Sequence, residues 1–177
     1  MRVVLTVVSA AALVVVAVVV GLFLWLRTYA PLAATGPVSP GPGLGADVEP
    51  PFGSGGKTVL IPAYRPGRPF DTQLTLRNAG RFGVTVLGID GVAGPLTPDR
   101  LIDPVHDTPL GDLRLDPHDD AMVVLRWKLT CSPRDGQVAS DTVRLRYRYL
   151  SWFTRTETVV LPFAVTLRCS GGPPASP

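Results

Sequence analysis

The sequence predicts an all-β domain, a sandwich of two sheets with about seven strands, preceded by one N-terminal transmembrane helix and a Pro/Gly-rich linker. Three observations predict this order. The chain opens with a long uncharged apolar run, continues with a stretch dense in Pro and Gly, and ends with short runs in which apolar and polar residues alternate. We therefore divide it into an anchor (residues 1–29), a disordered linker (30–56), a sandwich (57–170) and a disordered tail (171–177).

The N-terminal run predicts a membrane span. Residues Val3 to Leu26 contain no charged side chain, and a helix of that length covers about 36 Å, enough to cross a hydrocarbon core of ~30 Å. A cleaved signal peptide is the alternative, although its apolar region is normally only ~7–15 residues long. We expect contact with the lipid bilayer through residues 3–26, a cytoplasmic N-terminus and an extracytoplasmic C-terminal domain in a single-pass membrane protein.

The linker is predicted from composition. Residues 30–56 hold six Pro and seven Gly among 27 residues, without apolar periodicity. Such a stretch buries too little apolar surface to offset the entropy lost on ordering. We expect a flexible tether.

The sandwich is predicted from alternation with period two, the pattern of a strand with one buried face. Runs of this kind are bounded by Gly, Pro and Asp, which favour turns. The predicted strands are Lys57–Tyr64, Phe70–Arg77, Gly83–Asp90, Ala121–Thr130, Asp141–Leu150 and Glu157–Cys169, with a further short strand near Leu110–Leu115.

The two cysteines continue core-facing runs. Cys131 has the parity of Leu129, and Cys169 has the parity of Leu167, so both side chains are expected to point inward at strand ends. We predict a disulfide between Cys131 and Cys169, because an exported domain favours oxidation. Two free buried thiols are the alternative.

A family resemblance rests on the segment from Phe70 to Trp127. The strand that starts at Phe70 ends in Asn78-Ala79-Gly80, another strand follows, and Leu115-Asp-Pro-His precedes a third. This pattern resembles bacterial immunoglobulin-like domains of the broad class that includes the ASPM/SPD-2/Hydin and CARDB-type modules. The resemblance implies an immunoglobulin-like β-sandwich in a binding or structural protein. Separately, the abundance of Ala, Val, Gly, Pro and Arg resembles the composition of proteins from high-GC bacteria. His118 stands where that pattern usually has Gly, and the cysteine pair is not part of it.

Basic residues mark a candidate partner-binding face. They lie on the outward positions of two predicted strands and would form one surface if those strands are neighbours; they are Arg126, Lys128, Arg144, Arg146 and Arg148. The alternative is a solvated sheet face whose charges pair with acidic residues.

Aromatic residues mark a second candidate. Trp152 and Phe153 lie between the last two predicted strands, at the expected tip of a hairpin. Exposed aromatic side chains are favourable anchors for a protein partner. The alternative is that they cap the end of the core.

Together these features predict a membrane-anchored extracytoplasmic binding or scaffolding module, an accessory protein of the cell envelope with an envelope protein as its partner. The alternative is a metal- or small-ligand-binding sensor that uses residues 99–120, which contain seven Asp and both His. We expect no enzyme, no catalytic residue, no cofactor, no metal ligand and no nucleic-acid partner. The sequence contains neither a Gly-x-Ser-x-Gly nor a His-Glu-x-x-His motif, and its net charge of +3 is small.

Overall fold

The computed structural model describes residues 2–40, 46–49, 56–64, 68–91, 93–132 and 136–169. The chain divides into two compact units, Met1–Ala30 and Pro31–Pro177. The predicted disordered tail, residues 171–177, lies outside the described residues. The elements in chain order are α1 (Arg2–Arg27), β1 (Leu32–Pro40), β2 (Ala46–Glu49), β3 (Thr58–Pro62), β4 (Phe70–Asn78), β5 (Val84–Ile89), β6 (Leu96–Ile102), β7 (Leu113–Leu115), β8 (Asp120–Leu129), β9 (Gln137–Tyr149) and β10 (Phe153–Arg168).

The prediction of a transmembrane anchor is wrong. Within the described part of the chain, no helix combines the length and the apolar character needed to cross a bilayer. The single-pass localisation, its topology and the bilayer contact through residues 3–26 rested on that anchor and are withdrawn with it.

The region predicted as a disordered linker contains two strands. β1 pairs antiparallel with β4, and β2 pairs antiparallel with β3. The register of β1 shifts between Thr35 and Ser39, around Gly36, whose φ is 90°. These strands join the sheets through main-chain hydrogen bonds, which require no alternation of apolar side chains. Composition alone therefore misses them.

The strands form two sheets. One has four strands in the order β1-β4-β8-β6, and the other has six in the order β2-β3-β10-β9-β5-β7. All pairs are antiparallel except β3 with β10. Contacts between β1 and β10, and between β6 and both β5 and β9, bring the sheets together. The mostly β, two-sheet architecture is confirmed, with ten described strands instead of about seven; the immunoglobulin-like family assignment stays a prediction.

The core is built from alternate positions along the long strands. β8 buries Val123, Leu125, Trp127 and Leu129, and the corresponding alternate residues of β9 and β10 are buried too. The fully buried Trp127 donates its indole N–H to the Thr72 hydroxyl at 3.0 Å. Since that hydroxyl also lies in the core, the polar atom of the largest buried side chain is satisfied.

The predicted cysteine pair lies at disulfide distance. The sulfur atoms of Cys131 and Cys169 are 2.08 Å apart, and the Cα atoms are 5.4 Å apart. Cys131 follows the end of β8 in the four-stranded sheet, and Cys169 follows the end of β10 in the six-stranded sheet. The bond therefore joins one sheet to the other.

Candidate functional site

The predicted basic residues are divided between the two sheets. Arg126 and Lys128 lie on β8 in the four-stranded sheet, whereas Arg144, Arg146 and Arg148 lie on β9 in the six-stranded sheet. The prediction of one continuous basic face required β8 and β9 to be neighbours. They are not, because the chain crosses from one sheet to the other between them.

Arg126 has a structural role within its own sheet. Its Nε and Nη2 donate to the two carboxylate oxygens of Asp71 at 2.9 and 2.8 Å, and Nη2 also lies 3.4 Å from Asp107. The hydrogen bonds to Asp71 raise the pKa of the Arg126 guanidinium above its usual value. The fork of Arg126 is thus occupied within the chain. Lys128 on the same strand is exposed.

The strand β9 carries three outward arginines in different surroundings. Arg144 pairs with Asp90 at 3.2 Å, and Arg148 lies 3.6 Å from Asp112. Arg146 lies between them on the same face and is exposed. Each exposed ion pair of this kind contributes about 0–1 kcal/mol to the free energy of unfolding. The acid-paired alternative therefore applies to Arg144, and only loosely to Arg148.

The aromatic pair lies at a hairpin tip. Tyr149 at the end of β9 is paired in register with Phe153 at the start of β10, and the intervening Trp152 is 72% exposed. The rings of Trp152 and Phe153 stack with centroids 4.0 Å apart, and Phe153 stacks on the buried Tyr149 at 5.3 Å. The half-buried Phe153 thus caps the core, while Trp152 is presented to the outside.

A cleft of about 640 Å³ lies beside this hairpin. Its walls contain three guanidinium groups, from Arg81, Arg114 and Arg148, together with Thr85 and the hairpin residues 149–151. Arg81 belongs to the turn between β4 and β5, Arg114 to β7 and Arg148 to β9. Three separate elements therefore bring cations to one concave surface.

Strand register explains two of these positions. Arg114 lies opposite Thr85, and Thr85 lies opposite Arg148. Directly opposed residues project from the same face of a sheet, so the two arginines flank Thr85 on the outer face. Their backbones are about 10 Å apart across two strand spacings. A group that rests on Thr85 is within reach of both guanidiniums.

The buried Asn78 holds the turn that carries Arg81, the third arginine of the cleft. Its Nδ2 donates to the carbonyl oxygens of Phe82, Leu115 and Asp116 at 2.8, 3.2 and 3.1 Å. Its Oδ1 accepts the N–H of Gly80 at 2.9 Å. These bonds shape the turn that contains Arg81 and tie it to the end of β7, next to Arg114.

Acidic residues near the cleft bind its arginines weakly. Asp116 lies 3.3 Å from Arg114, and Asp112 lies 3.6 Å from Arg148. Both pairs are exposed, with more than two fifths of every side chain accessible. No carboxylate of a described residue forms an ion pair with Arg81. An anionic ligand meets little competition here.

The structure places Arg148 in the cleft and stacks Trp152 on Phe153 at the hairpin tip. It adds Arg81, Arg114 and Thr85 to the cleft, which the sequence pattern did not reveal. A partial signal existed for Arg81. Arg81 lies directly after the Asn78-Ala79-Gly80 turn. The sequence contains no such signal for Arg114, because β7 has only three residues and is too short to show an alternation of buried and exposed positions.

The Asp/His segment forms a local turn. Asp103 accepts the backbone N–H of Val105 at 2.7 Å and contacts the ring of His106 at 2.8 Å. The hydrogen bond to His106 lowers the pKa of the Asp103 carboxyl. Among the described residues, which include all of 99–120, no three His, Cys, Asp or Glu side chains are placed to hold a metal ion. This contact pattern is the one of an Asp that caps a turn.

The sequence matches no protein-family model and no curated protein. The candidate site therefore rests on its geometry.

Proposed function

We propose that the sandwich is a binding module that holds an acidic segment of a partner protein. The segment would bind at the turn of the β9–β10 hairpin, where the strands of the six-stranded sheet end. The observation that carries the proposal is the cleft with Arg81, Arg114 and Arg148, which borders the hairpin at residues 149–151; the exposed Trp152 is the next residue along the chain. Guanidinium forks and an accessible indole are the side chains that most often dominate binding energy at protein interfaces.

Charge complementarity supports an acidic partner. A guanidinium presents its N–H groups in a planar fork that matches a carboxylate. The internal acids at the cleft hold their arginines at 3.3 and 3.6 Å, whereas Asp71 holds Arg126 at 2.8 Å with two bonds. Carboxylates of a partner can displace the loose pairs at little cost.

The aromatic tip supports a protein partner. Trp152 stacks on Phe153, which stacks on the buried Tyr149. This continuous stack restrains the exposed indole before any partner arrives. A side chain that is already ordered loses less entropy on binding, so Trp152 is suited to anchor a segment whose acidic residues enter the cleft.

Selection from a display library of random peptides on the full chain tests the proposal. We expect the selected peptides to be enriched in Asp and Glu and to bind Trp152→Ala at least tenfold more weakly than the wild type. The matched control is Val160→Ala, which removes another exposed apolar side chain from β10 (56% accessible) away from the tip. Peptides without acidic enrichment, or equal losses in both variants, would contradict it.

A further inference from the structure

We infer that the group held in the cleft is a phosphoryl group carried by the partner protein; this inference rests on the function proposed above. The cleft is lined by arginines from three elements and by hydroxyl-bearing residues that include Thr85 and Ser151. Each guanidinium has five N–H donors and no acceptor. The site is therefore rich in donors from several directions.

The arrangement suits a tetrahedral anion better than a planar one. A carboxylate has two oxygen atoms, which a single guanidinium fork satisfies. A phosphate monoester presents three terminal oxygen atoms in three directions and carries a charge near −2 at neutral pH. Arg114 and Arg148 flank Thr85 and Arg81 lies on the adjoining turn, so the arginines that line the cleft are as many as the terminal oxygen atoms of the group.

The charge balance also favours a dianion. Three cations line the cleft, and the nearest pairing acids are Asp112 and Asp116. A single carboxylate of the partner can take the place of only one of these two acids. A dianion replaces both of them at once and brings Arg81, which has no described acidic partner, into the same contact.

The fold fixes the backbone positions that carry these arginines. Strand register places Arg114 and Arg148, and the buried Asn78 ties down the turn with Arg81. Arg126 provides the contrast within the chain. Its fork already has two close bonds to Asp71, so this guanidinium is engaged within the chain.

Calorimetric titration of the full chain compares four probes: inorganic phosphate, acetate, a phosphoserine peptide, and the same peptide with Glu in place of phosphoserine. We expect phosphate to bind at least tenfold more tightly than acetate, and the phosphoserine peptide at least tenfold more tightly than the Glu peptide. Amide NMR shifts caused by phosphate should centre on Thr85 and residues 81–83.

Arg114→Gln and Arg148→Gln should each weaken phosphate binding at least tenfold. Arg146→Gln, which removes the same charge two residues away on the same face of β9, should change it less than twofold. Arg148→Lys keeps the charge and loses the planar fork of N–H donors. Its loss of phosphate affinity should therefore lie between those of Arg146→Gln and Arg148→Gln. Comparison of unfolding midpoints confirms that each variant is folded.

Three results would count against the inference, and they are distinguishable. Equal affinity for the Glu and phosphoserine peptides would remove the phosphoryl specificity and leave the proposed acidic-segment function intact. An equal loss in Arg146→Gln and Arg148→Gln would show a diffuse basic surface. Failure of the peptide selection, with tight binding of inorganic phosphate in the cleft, would instead count against the proposed function and against the partner as the source of the phosphoryl group.

Discussion

Asn78 connects sequence to site at the scale of a single side chain. Its amide is fully buried, and its four hydrogen bonds reach the turn before β5 and the end of β7. Its backbone also accepts the N–H of His118 at 2.9 Å. One residue thus organises the segments that present Arg81 and Arg114.

Replacement of Asn78 by Ala is expected to lower the free energy of unfolding by about 3 kcal/mol, because three carbonyl groups lose their donor in a buried setting. Urea denaturation measures the change. Asn78→Asp is the informative comparison, since it keeps the acceptor for Gly80 and loses the donor. We expect it to be as damaging as Ala; a near-neutral Asp variant would show that the donor side of the amide does not matter.

At the scale of a single residue, the sequence predicts the turn at Asn78 but not the hydrogen bonds that the Asn78 amide donates to distant carbonyl groups. Asn-x-Gly predicts a tight turn because the Asn side chain accepts a hydrogen bond two residues on, and the Asn78–Gly80 bond has that form. The donors of the same amide reach residues 37 and 38 positions away. A contact of that range depends on the pairing of β5 with β7, which the sequence pattern does not specify.

The β9–β10 hairpin determines where the candidate site lies. Its turn places two consecutive non-glycine residues at positive φ, Leu150 at 47° and Ser151 at 65°. This left-handed geometry matches the right-handed twist of the flanking strands, and it is unfavourable for branched side chains. The turn carries Trp152 on one side and borders the arginine cleft on the other.

Substitutions at Ser151 test the turn. Ser151→Val should lower the free energy of unfolding by about 1–2 kcal/mol, since a β-branched residue is disfavoured at positive φ. Ser151→Asn should leave it unchanged or raise it by a few tenths, because Asn tolerates this region. Thermal unfolding followed by circular dichroism measures both. A Val variant as stable as the Asn variant would contradict the positive φ.

At the scale of whole strands, the sequence predicts those strands whose side chains alternate regularly between buried and exposed positions. β8, β9 and β10 each alternate between buried and exposed positions, and this alternation is legible in the sequence. β6 contains Pro98, Asp99 and Arg100 around a register shift, so its pattern is broken. The pairing of strands into sheets is also invisible to alternation. For that reason Arg148 was predicted as a binding residue while its true neighbours, Arg81 and Arg114, were not.

The disulfide acts at the scale of the whole molecule, because it joins the ends of strands from different sheets. Its cysteines are 38 residues apart, and closing a loop of that size stabilises a fold by about 4 kcal/mol in the chain-entropy model. We expect the Cys131→Ser, Cys169→Ser double variant to lose roughly 2–4 kcal/mol of unfolding free energy. Urea denaturation with and without reductant provides the measurement.

The reductant supplies the control for that experiment. Reduction should shift the denaturation midpoint of the wild type to that of the double variant and leave the double variant unchanged. If the wild type were insensitive to reductant under conditions that reduce the bond, the link between the sheets would contribute nothing to stability.

Glu157 makes the stability of the whole sandwich depend on pH. It lies on β10 of one sheet, and its Oε2 accepts the backbone N–H of Leu32, the first residue of β1 in the other sheet, at 3.3 Å. Burial raises the pKa of its carboxyl from 4.5 to about 7, although the bond from Leu32 and the charge of Arg155 act in the opposite direction. The folded chain therefore retains a proton that the unfolded chain releases.

The sign of the effect follows from proton uptake. Between pH 4.5 and about 7 the folded state binds more protons at Glu157 than the unfolded state, so the free energy of unfolding falls as pH rises through this interval. Above about pH 7 the carboxylate is charged in both states and the loss is complete. Since Glu157 is only half-buried, solvent screening limits the effect to about 1 kcal/mol.

Glu157→Gln isolates this contribution. The amide oxygen can still accept the Leu32 N–H, and the side chain has no charge to bury. We expect the variant to be more stable than the wild type by about 1 kcal/mol at pH 8 and to converge with it near pH 5. Other titrating groups are common to both proteins and cancel in the difference, which urea denaturation at several pH values measures. A difference that stayed constant between pH 5 and pH 8 would show that Glu157 is ionised throughout, and that β1 is held to β10 equally well at either pH.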